Sequence, residues 1–207
     1  MPGNTQHDFR NSELNPHLVS TPFRFKTNWH VITGASCSGK TTLIDQLAEK
    51  GFKTVPEVAR EFIEREKAKG QTIEEIRADP AALTCQVYDM MVEREHRLNT
   101  VEVSFLDRGL PDAFAFFRYA GMDPNKVLMD CFQYRYASVF LLDRLPYQRD
   151  GVRAADDETA DYFDSWMSRD YRTLGYEIVR VPVLAPEDRF EFVMHKLSEP
   201  GLNYQFN

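Results

Sequence analysis

The sequence of 207 residues predicts a three-layer α/β fold with a five-stranded, mainly parallel sheet. Short runs of apolar and β-branched residues alternate with segments of helical periodicity along most of the chain. This alternation is typical of strand–helix–strand units, in which helices cover both faces of a parallel sheet. Three acidic residues, Glu57, Asp107 and Asp143, stand where predicted strands end. Since ligands of such sheets bind beyond the carboxyl ends of the strands, we expect the functional residues at that edge.

The individual elements follow from the same patterns. Strands are predicted at residues 29–33, 52–56, 101–107, 138–143 and 176–181. Helices are predicted at residues 42–50, 57–68, 81–98, 111–119, 122–134, 158–174 and 186–197. We expect one folded domain over residues 27–198, preceded by a polar, flexible arm at residues 1–26 and followed by a tail at residues 199–207.

Composition argues against several classes of function. The net charge of -7 at pH 7 does not favour a nucleic-acid partner, which would require a basic surface. No apolar run is long enough to cross a bilayer, and the first residues lack the pattern of a secretion signal. The cysteines Cys37, Cys85 and Cys131 are widely spaced, which is typical of reduced thiols in a cytoplasmic protein. Cys37 is expected either to pack as a small residue or to act as an oxidisable brake on ligand binding.

Residues 34–41 complete the pattern G-x-x-x-x-G-K-[ST], with a predicted strand before it and a predicted helix after it. Gly34 and Gly39 allow backbone angles at which consecutive N–H groups turn inward around phosphate oxygens. Lys40 is expected to reach the outer phosphates, and the Thr41 hydroxyl to ligate Mg²⁺. The pattern therefore predicts binding of ATP or GTP with Mg²⁺. The predicted nucleotide-binding residues are Gly34, Ala35, Ser36, Cys37, Ser38, Gly39, Lys40, Thr41 and Thr42.

Asp107 and Arg108 follow the third predicted strand and indicate which reaction the nucleotide serves. Asp107 is expected to be the second Mg²⁺-directed residue, although an acid here also suits the cap of the next helix. Motor-type ATPases carry Asp-Glu at this place, whereas an arginine suits neutralisation of a phosphoryl group in transfer. Arg108 has the alternative of pairing with a surface acid. Residues 125–128 begin like the guanine-reading Asn-Lys-x-Asp but end in leucine, so a GTPase of the usual kind is not expected.

Three segments besides the phosphate-binding loop carry a recognisable pattern. They are Pro56-Glu57-Val58-Ala59-Arg60-Glu61, Asp107-Arg108-Gly109-Leu110-Pro111-Asp112 and residues 171–183. Together with the loop they resemble the AAA-type domain family of P-loop NTPases over about residues 29–197. That family includes a ribosylnicotinamide kinase domain and a translocation-defect protein that binds GTP. The resemblance implies a nucleoside-kinase-like fold with ATP or GTP bound, and it does not imply a particular acceptor.

Phosphorylation of a hydroxyl group needs a carboxylate that takes its proton, and Glu57 is our candidate for this base. Its alternative role is to cap the helix that it opens. Arg60, one turn later, is expected to bind substrate, or else to pair with Glu64. Gln86, on the long helix, is a candidate for contacting a nucleobase, as a helix glutamine does in nucleoside kinases; the alternative is an ordinary surface or core amide.

The segment after Asp143 is rich in arginine and resembles a kinase lid. Such lids bring positive charge over the triphosphate and exclude water when substrate is bound. Arg144, Arg149 and Arg153 are the candidates for stabilising the transferring group, and a solvated loop of mixed charge is the alternative.

We therefore expect phosphoryl transfer from ATP or GTP, with Mg²⁺, to an unidentified small-molecule hydroxyl of nucleoside-like character. One alternative is an NTPase that acts as a nucleotide-gated switch and docks a partner or lipid. A second alternative is a plain NTPase without an acceptor.

Overall fold

The structure, a computed structural model, describes residues 8–145 and 157–199. Its strands are β1 (Phe25–Lys26), β2 (Trp29–Thr33), β3 (Lys53–Val55), β4 (Ser104–Asp107), β5 (Tyr134–Arg135), β6 (Ser138–Leu142) and β7 (Ile178–Val181). Its α-helices are α1 (Lys40–Glu49), α2 (Val58–Ala68), α3 (Ile73–Arg77), α4 (Pro80–Arg97), α5 (Asp112–Tyr119), α6 (Asp157–Thr173) and α7 (Pro186–Ser198). Short 3₁₀ helices occur at Phe9–Asn11, Pro124–Val127 and Asp130–Phe132.

The main sheet has five strands in the order β3-β4-β2-β6-β7, and every pairing is parallel. The central strand β2 is fully buried, with His30 opposite Phe105 on one side and Ser138 on the other. The carboxyl ends of all five strands therefore lie at one edge of the sheet. The predicted fold, an α/β arrangement on a five-stranded parallel sheet, is confirmed.

Helices cover both faces of this sheet and form the outer layers. On one face, α1 and α7 enclose an apolar cluster that includes Leu43 and Val193. On the other face, α4, α5 and α6 pack over Val31, with Phe114 and Tyr171 fully buried. Burial of each such side chain contributes about 1.5–3 kcal/mol, which explains why the layers hold together without a disulfide among the described residues. No helix within the described ranges is both long and apolar enough to cross a membrane.

The structure corrects the predicted N-terminal boundary. Residues 8–26 do not lie outside the core, because Leu14 is 6% exposed and belongs to the main apolar cluster. The Asn15 N–H donates to Asn125 Oδ1 at 2.7 Å, and β1 pairs with β5 in a separate two-stranded sheet. The segment is polar on average, and its few apolar residues decide where it packs. Residues 1–7 and 200–207 lie outside the described residues.

A second correction concerns the helix predicted at residues 122–134. This segment instead forms the 3₁₀ helices Pro124–Val127 and Asp130–Phe132 and then enters β5. The Asp123 side chain accepts a hydrogen bond from the Asn125 N–H and starts a tight turn with Pro124 at its first position. The short helix α3, which was not predicted, begins with a capping box between Thr72 and Glu75.

A buried acid supports the loop that follows β4. Glu95 on α4 accepts a hydrogen bond from the Tyr136 hydroxyl at 2.6 Å, and that hydroxyl accepts from the Leu110 N–H at 2.9 Å. Burial raises the pKa of Glu95 to about 8, so its carboxyl group keeps a proton near neutral pH. The position of the loop therefore depends on a neutral carboxyl group beneath it.

This arrangement predicts how stability depends on pH. Between pH 6.5 and 8, Glu95 holds its proton in the folded protein but not in the unfolded chain, so the contribution of Glu95 to the free energy of unfolding should fall by roughly 1 kcal/mol per pH unit. Glu95→Gln imitates the neutral acid and is expected to remove this slope in urea unfolding. The exposed Glu74→Gln is the matched control. If the slope is the same in Glu95→Gln and in the unmodified protein, the proton is not held by Glu95.

Candidate functional site

The glycine-rich loop connects β2 to α1 at the carboxyl edge of the sheet. Gly34 has a φ of 142° and Gly39 a φ of 84°, a region that favours glycine. A Cβ atom on Gly34 would lie 2.8 Å from the Leu142 carbonyl oxygen, and one on Gly39 would lie 2.5 Å from Arg189 Nη1. Both positions therefore require glycine for conformation, and Gly34 requires it for space as well because its neighbour is backbone. Cys37, in the middle of the loop, is exposed and also has a positive φ, of 63°.

Lys40 is buried at the start of α1, inside the curve of this loop. Its Nζ donates hydrogen bonds to the carbonyl oxygens of Gly34 and Ala35 at 2.9 and 2.8 Å. Burial, together with the nearby charge of Arg108, lowers the pKa of Lys40 to about 8 against the opposing effect of Asp107. The loop thus contains a desolvated ammonium group, whose attraction for an anion is stronger than in water.

Arg108 lies at the centre of a second charged cluster. Its Nε donates to Glu57 Oε1 at 2.9 Å, and its Nη1 lies 3.2 Å from Asp112 Oδ2 and 3.3 Å from the Gly34 carbonyl oxygen. Burial alone would raise the pKa of Glu57, but the charge and hydrogen bond of Arg108 outweigh it and hold that pKa below its usual value. Arg108 adopts a positive φ of 78°, which is unusual for a bulky residue and typical of functional positions. The arginine therefore joins the phosphate loop to an ionised carboxylate.

Asp107 ends β4 beside this arginine and is 6% exposed. Burial raises its pKa to about 6, and its Oδ1 has no hydrogen-bond donor among the described residues. Mg²⁺ prefers oxygen ligands and usually takes only one or two from the protein, the rest from phosphates and water. Asp107 and the Thr41 hydroxyl match that preference, although the described residues hold no cluster of three or more His, Cys, Asp or Glu side chains suited to a metal.

A cavity of about 220 Å³, which we call the acceptor cavity, opens beside the charged cluster between α2, α4 and α5. Its polar end is formed by Glu57, Asp107, Arg108 and Asp112. The remaining walls are mainly apolar and include Val58, Ile63, Leu83, Val87, Met91 and Phe116. The site therefore consists of a glycine-rich loop, a charged cluster and an apolar cavity, in contact with one another.

Comparison with known proteins identifies the family. The sequence model described as an AAA domain matches residues 29–189, well over half of the chain. The chain belongs to the AAA domain family. No curated protein sequence matches it.

Solved structures similar to this AAA domain include NadR and a deoxyadenosine kinase. NadR in complex with NR has a TM-score of 0.60 and 18% identity over 83% of this chain and 50% of that one. A deoxyadenosine kinase from M. mycoides has a TM-score of 0.56 and 15% identity over 82% of this chain and 97% of that one. The chain thus spans about half the length of NadR, and at these identities the likeness shows the fold alone. The expected nucleoside-kinase-like P-loop fold is confirmed.

The AAA domain brings four predicted residues together: Lys40, Glu57, Asp107 and Arg108. Glu57 precedes α2, but its side chain makes no capping hydrogen bond and turns to Arg108 instead. Pro111, not Asp107, is the cap position of α5. Arg108 is buried between two carboxylates, so its alternative role as partner of a surface acid does not hold.

Gln86 does not take the expected position. It is exposed and does not line the acceptor cavity. Five other residues of α4 face that cavity: Leu83, Thr84, Val87, Tyr88 and Met91. Successive helix residues turn by about 100°, so Gln86 points roughly 130° from the centre of this stripe. The structure therefore offers no route by which Gln86 contacts a ligand in the cavity.

The predicted arginines have separate positions. Arg60 is exposed, and its Nη2 lies 3.4 Å from Thr41 Oγ1, beside the phosphate loop and not in the acceptor cavity. Its alternative partner Glu64 pairs with Lys67. Arg144 forms an ion pair of 2.6 Å with Asp157. The other two candidates of the lid, Arg149 and Arg153, lie outside the described residues, so the lid stays a prediction.

The sequence patterns did not indicate two residues that lie in or against this site. Asp112 is fully buried and accepts hydrogen bonds from Thr33 Oγ1 at 2.7 Å and from Arg108. Its place in the segment Asp107–Asp112, which carries a recognisable pattern, was the available signal. Arg189 donates from Nη1 to the Ser38 carbonyl oxygen at 2.6 Å across 151 residues of sequence. No local pattern predicts a contact of that range.

Proposed function

We propose that this AAA domain transfers the terminal phosphoryl group of a nucleoside triphosphate to a hydroxyl group of an uncharged small molecule of nucleoside-like size. The observation that carries the proposal is the position of Arg108, which contacts the Gly34 carbonyl oxygen on one side and Glu57 on the other. It stands between the phosphate loop and the acceptor cavity, where a transferring group must pass. An ATPase that only activates water has no use for an apolar cavity at that point.

The donor side needs positive charge around the phosphates. Lys40 and the inward-turned N–H groups of the loop would bind the triphosphate, and Arg108 would offset charge that spreads over the transferring group. Thr41 and Asp107 would hold Mg²⁺, which neutralises charge on the outer phosphates when bound. These groups are positioned by β2, β4 and α1 and require little rearrangement, which favours electrostatic stabilisation of the transition state.

On the acceptor side, Glu57 is the proposed base. The Arg108 interactions keep its carboxylate ionised near neutral pH, so it is ready to take the proton of a hydroxyl group. A lowered pKa also makes the carboxylate a weaker base. Phosphoryl transfer tolerates this because most of its catalysis comes from positioning and charge.

The charge of the cavity limits the acceptor. Besides Asp107, the proposed Mg²⁺ ligand, the carboxylates of Glu57 and Asp112 line its polar end against one arginine, Arg108, which already contacts both. A phosphate or carboxylate group on the acceptor would meet like charges there, at a cost of several kcal/mol. We therefore infer a neutral alcohol such as a nucleoside, and not a nucleoside monophosphate.

To test this proposal, the protein is given ATP or GTP with Mg²⁺. Nucleosides and other neutral alcohols are then compared, as acceptors, with the corresponding monophosphates. Release of ADP or GDP and the mass of the phosphorylated acceptor are measured. At least one neutral acceptor is expected to raise the release of ADP or GDP and to be used at least about tenfold better than its monophosphate. A preference for monophosphates would contradict the charge argument. If ADP or GDP is released at the same rate with and without each acceptor, the result would instead favour a nucleotide-gated switch or a plain NTPase.

A further inference from the structure

A second cavity, of about 110 Å³, adjoins the phosphate loop and shares no residue with the acceptor cavity. We call it the Arg189 cavity. Gly39 and Thr42 of the loop and Gln46 of α1 form one side, and Arg189 of α7 forms another. Its apolar lining consists of Leu43, Leu145, Leu184 and Pro186. Gly39 and Thr42 flank Lys40 and Thr41, which would bind the outer phosphates and Mg²⁺, so the rest of the same nucleotide can reach this cavity.

Two side chains of the Arg189 cavity have buried polar atoms without partners among the described residues. Arg189 is 4% exposed; its Nη1 donates to Ser38, but Nε and Nη2 have no acceptor. These two nitrogens lie along one edge of the guanidinium group and present parallel N–H donors. Gln46 Oε1 is a buried acceptor without a donor. Buried polar groups are normally satisfied, so this set of two donors and one acceptor indicates a polar ligand.

We propose that the Arg189 cavity binds the base of the donor nucleotide and selects guanine over adenine. This inference rests on the nucleotide site of the proposed function. Guanine carries two adjacent acceptors, N7 and O6, followed by the N1–H donor, which complements Arg189 and Gln46 at all three positions. Adenine has an amino group where guanine has O6, so one Arg189 N–H would face another donor. The leucines and Pro186 supply apolar contacts that suit a flat ring of either kind.

The first test measures equilibrium binding by displacement of a fluorescent nucleotide, and it needs no acceptor. GDP is expected to bind about tenfold or more tightly than ADP, as a bidentate arginine contact typically discriminates. IDP keeps N7, O6 and N1–H and should bind within about threefold of GDP, whereas 7-deaza-GDP lacks N7 and should bind about tenfold more weakly. Equal or tighter binding of ADP would overturn the proposal, as would full affinity for 7-deaza-GDP.

The second test uses Arg189→Lys, which keeps a positive charge that can reach Ser38 but loses the paired N–H donors. The ratio of GDP to ADP affinity is expected to fall to within about threefold of one, while inorganic triphosphate binds as before. Glu49→Gln, exposed on the same helix α1, is the matched control and should keep the ratio. An unchanged ratio in Arg189→Lys would contradict the assignment. If this variant does not fold, the analogues on the unmodified protein decide alone.

The two proposals fail separately. Guanine preference without any phosphorylated acceptor would leave the base assignment standing and remove the transfer reaction. Acceptor phosphorylation with equal use of adenine and guanine nucleotides would support the transfer reaction and remove the base assignment.

Discussion

Replacing Lys40 by methionine is expected to lower the rate of phosphoryl transfer by about 10²–10³-fold, the usual cost of removing one preorganised charge from a transition state. Lys40 Nζ is a buried cation within the phosphate loop, where it donates hydrogen bonds to the carbonyl oxygens of Gly34 and Ala35. Methionine has a similar length and accepts burial, so the fold should be kept. Formation of ADP or GDP in a single turnover measures the effect, because it separates the chemical step from product release.

The matched control is Lys50→Met at the end of the same helix, where the side chain is exposed. It should transfer at the rate of the unmodified protein. Thermal unfolding of both variants checks that the loss is catalytic. If Lys40→Met kept its rate while folded, the loop would not be the site of the transferred phosphate.

Glu57→Gln is the second large effect that we expect. Loss of a general base typically lowers the reaction rate by about 10²–10⁴-fold. Here only the rate of acceptor-dependent transfer should decrease. Nucleotide binding should stay within about threefold, since Lys40 and the loop are untouched and glutamine still accepts a hydrogen bond from Arg108. Product formation with a saturating neutral acceptor and displacement of a fluorescent nucleotide give the two readouts.

Glu61→Gln is the control for this variant, since Glu61 is on α2 as well but pairs with Arg94 away from the cavity. It should keep full transfer activity. Turnover that needs no acceptor and survives Glu57→Gln would reject the kinase proposal and favour a plain NTPase.

Features set by local patterns were predictable from the sequence. The strand predicted at residues 29–33 is β2 with the same bounds. Five consecutive residues that suit a strand buried on both faces favour this one structure. The loop at residues 34–41 is local as well, since its shape depends on glycines at fixed spacing. Glu57 and Asp107 were predictable because parallel strands bring their carboxyl ends to one edge.

Features that depend on contacts distant in sequence were not predictable. Gln86 has the chemistry of a base-reading residue, but the direction of its side chain depends on which stripe of α4 faces α2 and α5. Arg189 lies in an ordinary amphipathic helix, and only the fold reveals that it contacts Ser38. The helix predicted at residues 122–134 failed for a similar reason, since pairing of its last residues with β1 competes with helical propensity.

The segment before the first predicted strand also limits how far the protein can be truncated at its N-terminal side. The family match starts at residue 29, yet Leu14 lies within the core and Arg118 Nε donates to the Ser12 carbonyl oxygen at 2.6 Å. A recombinant fragment trimmed to the matched residues would lose that cover and leave apolar surface of α5 open to water. The folded unit thus extends beyond the residues that the family model matches. Experiments on this protein are therefore best done on the whole chain.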